Sequence, residues 1–505
     1  MVKLEEIDSL FLQKPSKDDT SSELLVERSS SSYHPLHTFA LPKERPYKQQ
    51  FADIYFLRLT KIKPHVEAIA ERSWADIEIG GGSARKVERV LDVRQGELCW
   101  VAGTVYMDMP AKPNILEDVS RDQWVSAPTT VDRYYTGSGT DSVMLEDDSG
   151  RIRLTGPVLE DTFIVTGCII AVMGTENVNG DFEVIDIKFA DLPPQPQRFA
   201  LTKEDVPMGG TDSNSKTGGK KIAIVSGLEF SGHDTSYAME LHLLLEFLLG
   251  ESLDPATQES IAQISRLVIA GNSINNELRE PAAGVDETYT NSTNRHKKKT
   301  LAHKKYGYDS ASYNPLPAQL FDEFLSELLP TMPVTILPGT TDPANASYPQ
   351  QPIHPAMFPR SRVYTAMPGT KTGGWLDNVT NPWEGEVEGW RVLGTGGQNL
   401  DDIMKYVDSE DRLGVMEAMC RWRCSAPTAP DTLWAYPFQE DEPFVMKECP
   451  HLYFVGCQPE FGTETITGPD GQAVRLIAVP SFVHTREVVL VDTETLDVTK
   501  VKIVA

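Results

Sequence analysis

Asp342 is the residue whose type and position most invite chemistry. It follows Val334–Leu337, a short apolar run that reads as a buried strand stopped by Pro338 and Gly339. Loops at the C-terminal ends of such strands are where α/β enzymes hold their reactive groups. A carboxylate there could serve two-metal phosphoester hydrolysis, in which carboxylates and imidazoles from several strand ends hold two cations about 4 Å apart. The loop reads Gly339-Thr340-Thr341-Asp342, which supplies the carboxylate and lacks the imidazole.

The other strand ends are poorer still. A metallophosphoesterase presents Asp-x-His, Gly-Asp, Gly-Asn-His-Asp/Glu, a lone His and Gly-His-x-His. This chain presents Ser226-Gly227-Leu228, Gly271-Asn272, the Asp342 loop, Gly394-Thr395-Gly396-Gly397-Gln398-Asn399 and Gly456-Cys457-Gln458-Pro459. Ser226, Leu228, Asn272, Thr341, Asp342, Gln398, Cys457 and Pro459 therefore mark a site from which the ligands are missing. A lone Asp does not hold a divalent pair, and neutral Ser, Thr and Asn are poor ligands. No catalytic residue, metal or cofactor is expected.

Other candidates are weaker. Asp234 in His233-Asp234 precedes a helix and reads as a cap. Cys420 and Cys424 lie four apart on a helix and read as packing. Cys449 and Cys457 flank one strand, and His451 and His484 read as core or surface. Gly219-Lys220 lacks the spacing of a phosphate loop and precedes a strand where it should follow one.

The elements that must position these residues fall into blocks. Residues 1–46 are Ser-rich and charged and read as a mostly disordered tail. Within 47–87, Phe51, Ile54, Tyr55, Leu59, Ile62, Val66 and Ile69 recur at helical spacing, with Pro64 among them. Residues 88–190 hold five strand-like runs, 97–108, 142–147, 150–156, 163–174 and 181–191, separated by turns such as Asn179-Gly180. Five strands in this length predict a small closed barrel of the OB type, with a sandwich fragment as the alternative. Residues 191–220 read as a linker. From 221 to 505, strands ending in Gly alternate with helices, which predicts an α/β domain. Its polar insert, 281–313, carries a basic run at 295–305 that reads as a solvated loop, a nuclear-import signal and a phosphate contact being the alternatives. The chain as a whole is α+β and multidomain.

The sequence has 505 residues, 73 acidic against 47 basic, and a formal net charge of −26. That balance argues against an unaided grip on nucleic acid, whose affinity comes from Lys and Arg on phosphates. It suits protein partners. No run is long and apolar enough to span a membrane. The acidic N-terminus does not read as a secretory signal, and six cysteines make no disulfide framework.

Longer strings carry a family resemblance. Asp342-Pro343-x-Asn345, Pro349-Gln350-Gln351-Pro352-x-His354-Pro355-x-Met357-Phe358-Pro359, Gly394-Thr395-x-Gly397-Gln398-Asn399, Ser425–Leu433 with Tyr436-Pro437-Phe438, Glu448-Cys449-Pro450-His451-x-Tyr453-Phe454 and Phe461-Gly462 resemble the family of second (B) subunits of eukaryotic DNA polymerase delta. The likeness reaches Phe189–Leu192 and the Gln50–Arg58 helix. It implies an OB-fold joined to a catalytically inactive calcineurin-like phosphodiesterase domain of two packed sheets flanked by helices. It implies a nuclear, non-enzymatic scaffold for replication and repair synthesis. The scaffold would bridge the Cys-rich C-terminal domain of the polymerase delta catalytic subunit to a third subunit and, indirectly, the sliding clamp. Sharing with the catalytic subunit of polymerase zeta, in translesion synthesis, is implied too. DNA would be touched weakly at most. The competing expectations are a single-strand nucleic-acid-binding barrel, for which Trp100, Tyr106 and Trp124 are the aromatics, and an active metallophosphoesterase. For the partner surface the expected residues are Gln350, Gln351, Pro352, His354 and Phe358, with Gln458 and Phe461 on the neighbouring loop. Phe358 is expected to be an exposed anchor.

Overall fold

Strand β1 (Tyr33–Leu36) and helix α1 (Ala52–Trp74) precede the barrel in the computed structural model, which describes residues 27–43, 50–79, 82–113, 132–137, 140–198, 219–251, 255–275, 314–366 and 373–504. Trp124, residues 199–218 of the expected linker and the polar insert with its basic run lie outside the described residues. So does the tail up to residue 26.

The five expected barrel strands form as β2 (Cys99–Asp108), β3 (Ser142–Glu146), β4 (Arg151–Thr155), β5 (Ile169–Glu176) and β6 (Phe182–Lys188). The sheet order is β2-β3-β4-β6-β5, and β5 pairs back onto β2, so the sheet closes. Alternation along β2 explains the packing. Val101 and Val105 point into the barrel core, whereas Trp100 and Ala102 face out. Helix α1 covers those outward residues. Its buried stripe is Ile54, Arg58, Ile62, Val66, Ala70 and Trp74, every fourth residue, and the helix continues through Pro64.

The C-terminal half supplies β7 (Lys221–Val225), α2 (Ala238–Leu249), α3 (Pro255–Ala262), β8 (Ile264–Ala270), α4 (Leu316–Leu328), β9 (Val334–Leu337) and β10 (Leu376–Asn378). It continues through β11 (Trp383–Val387), β12 (Trp390–Thr395), α5 (Gln398–Met404), α6 (Arg412–Arg421) and β13 (Leu452–Gln458). It ends with β14 (Gly462–Thr467), β15 (Ala473–Pro480), β16 (Glu487–Asp492) and β17 (Val498–Lys502). Two six-stranded mixed sheets result, ordered β1-β11-β12-β13-β15-β14 and β10-β9-β8-β7-β16-β17. Ile224, Val268 and Leu337 of one sheet meet Trp383, Phe454 and Ile477 of the other between them. Helices α2 and α4 cover the outer face of the second sheet. Helices α5 and α6 cover that of the first, and this layer runs without a break into the barrel core.

Two expectations need correction. Residues 27–43 are not a loose tail. β1 pairs antiparallel with β11, Phe39 is buried against Phe444, and Arg28 donates to the carbonyls of Leu248, Ile264 and Ile261 at 2.6, 3.1 and 3.4 Å. Strand pairing supplies the order that Ser-rich composition hides. Residues 191–198 are likewise fixed. Cys449 N donates to Pro194 O at 2.9 Å, Gln195 bonds both backbone groups of Ala473, and Arg198 stacks 4.4 Å above Trp390.

Candidate functional site

Five strand ends converge where the two sheets meet. Ser226, just beyond β7, links the sheets: its hydroxyl accepts from Cys457 N at 2.8 Å and lies 3.0 Å from Pro480 O, to which it donates. Asn272, beyond β8, sits in the left-handed region at φ +49, and its Oδ1 accepts from Thr341 N at 3.3 Å. Cys457 is also left-handed, at φ +56. Such backbone concentrates at sites where the surrounding fold fixes an unfavourable conformation. Leu228 is apolar core of the second sheet's outer layer and contributes nothing polar.

Glycine lets these loops touch. A Cβ on Gly456 would lie 2.1 Å from the carbonyl oxygen of Ala270, and one on Gly339 would lie 2.2 Å from Asn272 N. The space between is filled by side-chain amides. Asn381 Nδ2 donates to Gln398 Oε1 at 2.8 Å and to Gln350 Oε1 at 3.0 Å, and Gln398 Nε2 closes the triangle to Gln350 Oε1 at 2.8 Å. Gln350 Nε2 then donates to Gly339 O at 3.0 Å, and Asn381 Oδ1 accepts from Gly396 N at 2.9 Å. Asn381 was not among the expected site residues; its one signal in the sequence is its place directly before Pro382.

Carboxylates at this junction are engaged by the protein itself. Asp342 is buried; its Oδ2 accepts from Gly339 N at 2.7 Å and its Oδ1 from Ile274 N at 2.8 Å. Asp401 is held by Arg412 Nη1 at 2.8 Å, which also donates to Gln458 Oε1 at 2.6 Å. Burial, followed by the charges of Asp342, Asp401 and Glu229, drives the Cys457 thiol well up, so it is no thiolate nucleophile. Among the described residues, no three His, Cys, Asp or Glu side chains are grouped to hold a metal ion.

Burial raises the Asp342 carboxyl from 3.8 to about 6, against the opposing pull of backbone N–H groups led by Ile274. A raised carboxyl favours the protonated fold. Its contribution is complete below about 3.8 and is lost as pH rises through about 6, a difference of roughly 3 kcal/mol. Asp342→Asn removes that titration and one of the two accepted bonds. The stability difference between wild type and Asp342→Asn, from urea midpoints at each pH, should shrink steadily from pH 4 to pH 6.5. A pH-independent difference would take the slope away from Asp342.

The expected partner surface divides. Gln350 and Gln458 are buried in the junction. Phe358 is not an exposed anchor: it is fully buried and packs edge-on against Phe321 of α4 at 5.5 Å. The chain turns there because Asp322 accepts from Arg360 N and Ser361 N at 2.9 and 3.0 Å, which draws the loop down onto α4. Gln351 is half-buried and holds the N-terminal arm, donating to Phe39 O at 3.1 Å and accepting from Leu41 N at 3.0 Å. Pro352, His354 and Pro459 are exposed, and Phe461 is half-buried beneath Lys500.

The lesser candidates are structural. Asp234 caps a turn before α2 by accepting from Ser236 N at 3.0 Å; it is not the N-cap of that helix. Cys420, Cys424 and Cys449 are buried thiols. Of the barrel aromatics, Trp100 is buried beneath Trp74 of α1 at 5.7 Å. Tyr106 lies under Lys112 and Arg151 at 4.5 and 4.7 Å, and Lys112 is taken up by Asp431 at 2.5 Å. A stacking platform needs accessible ring faces; Trp100 offers none, and the partly buried Tyr106 is already engaged by two cations.

The family model for the B-type subunit of DNA polymerases alpha and epsilon matches residues 222–463, and that for the OB-fold domain of the DNA polymerase delta subunit matches residues 50–187. The closed barrel is thus an OB-fold. The DNA polymerase delta small subunit of Saccharomyces cerevisiae is 33% identical over 486 residues, 91% of each chain. The protein of that name from Arabidopsis thaliana is 34% identical, over 95% of this chain and 97% of its own. DNA polymerase delta subunit 2 of Drosophila melanogaster is 28% identical over 94% and 97%.

Proposed function

The chain belongs to the family of DNA polymerase delta small subunits, and on that premise we propose that it is a non-catalytic scaffold of the polymerase. The observation that carries this reading is the junction of the two sheets. A calcineurin-like sandwich would place its cation pair there, and this chain places a hydrogen-bonded triangle of Gln350, Asn381 and Gln398 beside one self-satisfied carboxylate. Neutral amides at mutual hydrogen-bond distance replace the charge that metal chemistry requires.

The scaffold bridges the Cys-rich C-terminal domain of the catalytic subunit to a third subunit. Through that third subunit it reaches the sliding clamp, in the nucleus. Association with the catalytic subunit of polymerase zeta belongs to the same proposal. The exposed tips, Pro352 with His354 and Pro459, are the parts of the two strand-end loops open to a partner.

Co-expression with the catalytic subunit's C-terminal domain should give a complex that survives gel filtration. Phosphodiester turnover with added Mn should equal that of a blank. Turnover that Asp342→Asn abolishes would overturn the non-catalytic assignment. Failure of wild type to capture the domain would overturn the scaffold. Undiminished capture by both His354→Glu and Pro459→Glu would take the two loops out of the contact.

A further inference from the structure

Beside Tyr33 of β1 and the residues just before β10, Gly373, Gly374 and Trp375, lies a cavity of about 290 Å³. Its wall includes Arg28, Ser29, Ser30, Ser31, Arg266 and Trp375. Arg266 projects from β8 into the space between the sheets and is only 4% exposed. Its Nη1 donates to Thr335 Oγ1 at 2.9 Å, and its guanidinium lies 3.9 Å from the centre of the Tyr33 ring. Its Nε has no hydrogen-bond partner, and no carboxylate among the described residues lies within ion-pair distance. The neighbouring acid, Asp377, accepts a short hydrogen bond from the Tyr33 hydroxyl.

Arg266 makes no direct ion pair among the described residues, Asp377 offsets its charge only from beyond that distance, and an unmade buried hydrogen bond adds to the cost of its burial. The ring of Tyr33 offsets only part of it. Arg28, on the other wall, is satisfied by three carbonyl oxygens, and no carboxylate among the described residues pairs with it. The Ser31 hydroxyl is buried and unpartnered. Two arginines and three serines line this one cavity, a composition that suits tetrahedral oxyanions. It stands out in a chain carrying a net charge of −26.

We infer that this cavity is a binding site for a phosphate-type oxyanion, either free phosphate or the phosphoryl group of a small monoester. Bound there, the anion joins the N-terminal arm to β8 and so ties the arm to the sandwich.

Titration calorimetry of the full chain, at fixed ionic strength, tests this with inorganic phosphate and with free phosphoserine. One saturable equivalent is expected, at least tenfold weaker for Arg266→Gln and several-fold weaker for the Ser30→Ala/Ser31→Ala double variant, which disturbs the fold less. Tighter binding of phosphoserine than of phosphate identifies a monoester as the ligand; equal or weaker binding identifies free phosphate. Absence of saturable heat with wild type, or unchanged affinity in the double variant and in a folded Arg266→Gln, overturns the site.

Discussion

Replacing Arg58 with methionine should cost the folded chain about 3–5 kcal/mol, the loss measured when one partner of a buried ion pair is removed. Arg58 sits in the middle of α1 with no exposed surface. Its Nη2 and Nε donate to Glu442 Oε1 at 2.5 and 3.0 Å, and further bonds reach Pro427 O at 2.6 Å and Ala429 O at 3.0 Å. Glu442 is fully buried as well, so the variant strands a carboxylate and orphans two carbonyls. The barrel reaches the same point: Gly167 lies so close that a Cβ there would meet Pro427 O at 2.0 Å and Arg58 Nη1 at 2.6 Å. Helix, barrel and sandwich therefore share one joint, and they should unfold together. Urea denaturation followed by tryptophan fluorescence and by far-UV circular dichroism should give coincident transitions, both moved by Arg58→Met. The pair Arg58→Met/Glu442→Leu should recover most of the loss. A loss below about 1 kcal/mol would show that the joint is dispensable.

Phe358→Ala should cost a similar amount, about 3–5 kcal/mol, the range for emptying a buried aromatic site. The ring fills space between the loop and Phe321 that the Asp322 tether keeps from collapsing. The same variant separates packing from recognition. At a temperature where it is folded, it should give the same result as wild type in the proposed capture of the catalytic subunit's C-terminal domain. Lost capture with an unchanged melt would make Phe358 an anchor after all.

The sequence made some of this plain. The barrel strands show because they are contiguous, rich in Val, Ile and Phe, and separated by turns that leave one reading. The strand ends of the sandwich show because apolar runs stop at Gly227, Gly271, Gly339, Gly394 and Gly456. What stayed hidden depends on distant partners. β1 is polar and contains Pro35, and nothing local tells that β11 will complete it. Arg58 falls on the apolar face of its helix, four residues from Ile54 and Ile62, and nothing local tells that Glu442, 384 residues away, will pair with it. Phe358 looked exposed because proline and polar neighbours surround it, and the tether at Asp322 belongs to another element. Strand β11, next to an edge, and the edge strands β14 and β17 carry Glu, Thr and Lys on one side, which blunts the apolar signal that marks the central strands. The turn Glu388-Gly389, left-handed at both residues, was the one local clue to the β11–β12 hairpin.

The position of β1 also bears on how the chain is made. Ser32 N donates to the Glu388 side chain across 356 residues of sequence. The barrel needs only residues 99–188 to close and can do so while the rest is still on the ribosome. The sandwich cannot be finished then, because β7, at its centre, awaits β16, and the arm awaits β11. Until the last strands emerge, the nascent chain carries a folded barrel beside half-built sheets with unpaired edges, a state that invites wrong pairings. A ribosome stalled after residue 380, before β11 is made, should thus hold a protected barrel and a protease-sensitive N-terminal arm, and release of the completed chain should protect the arm.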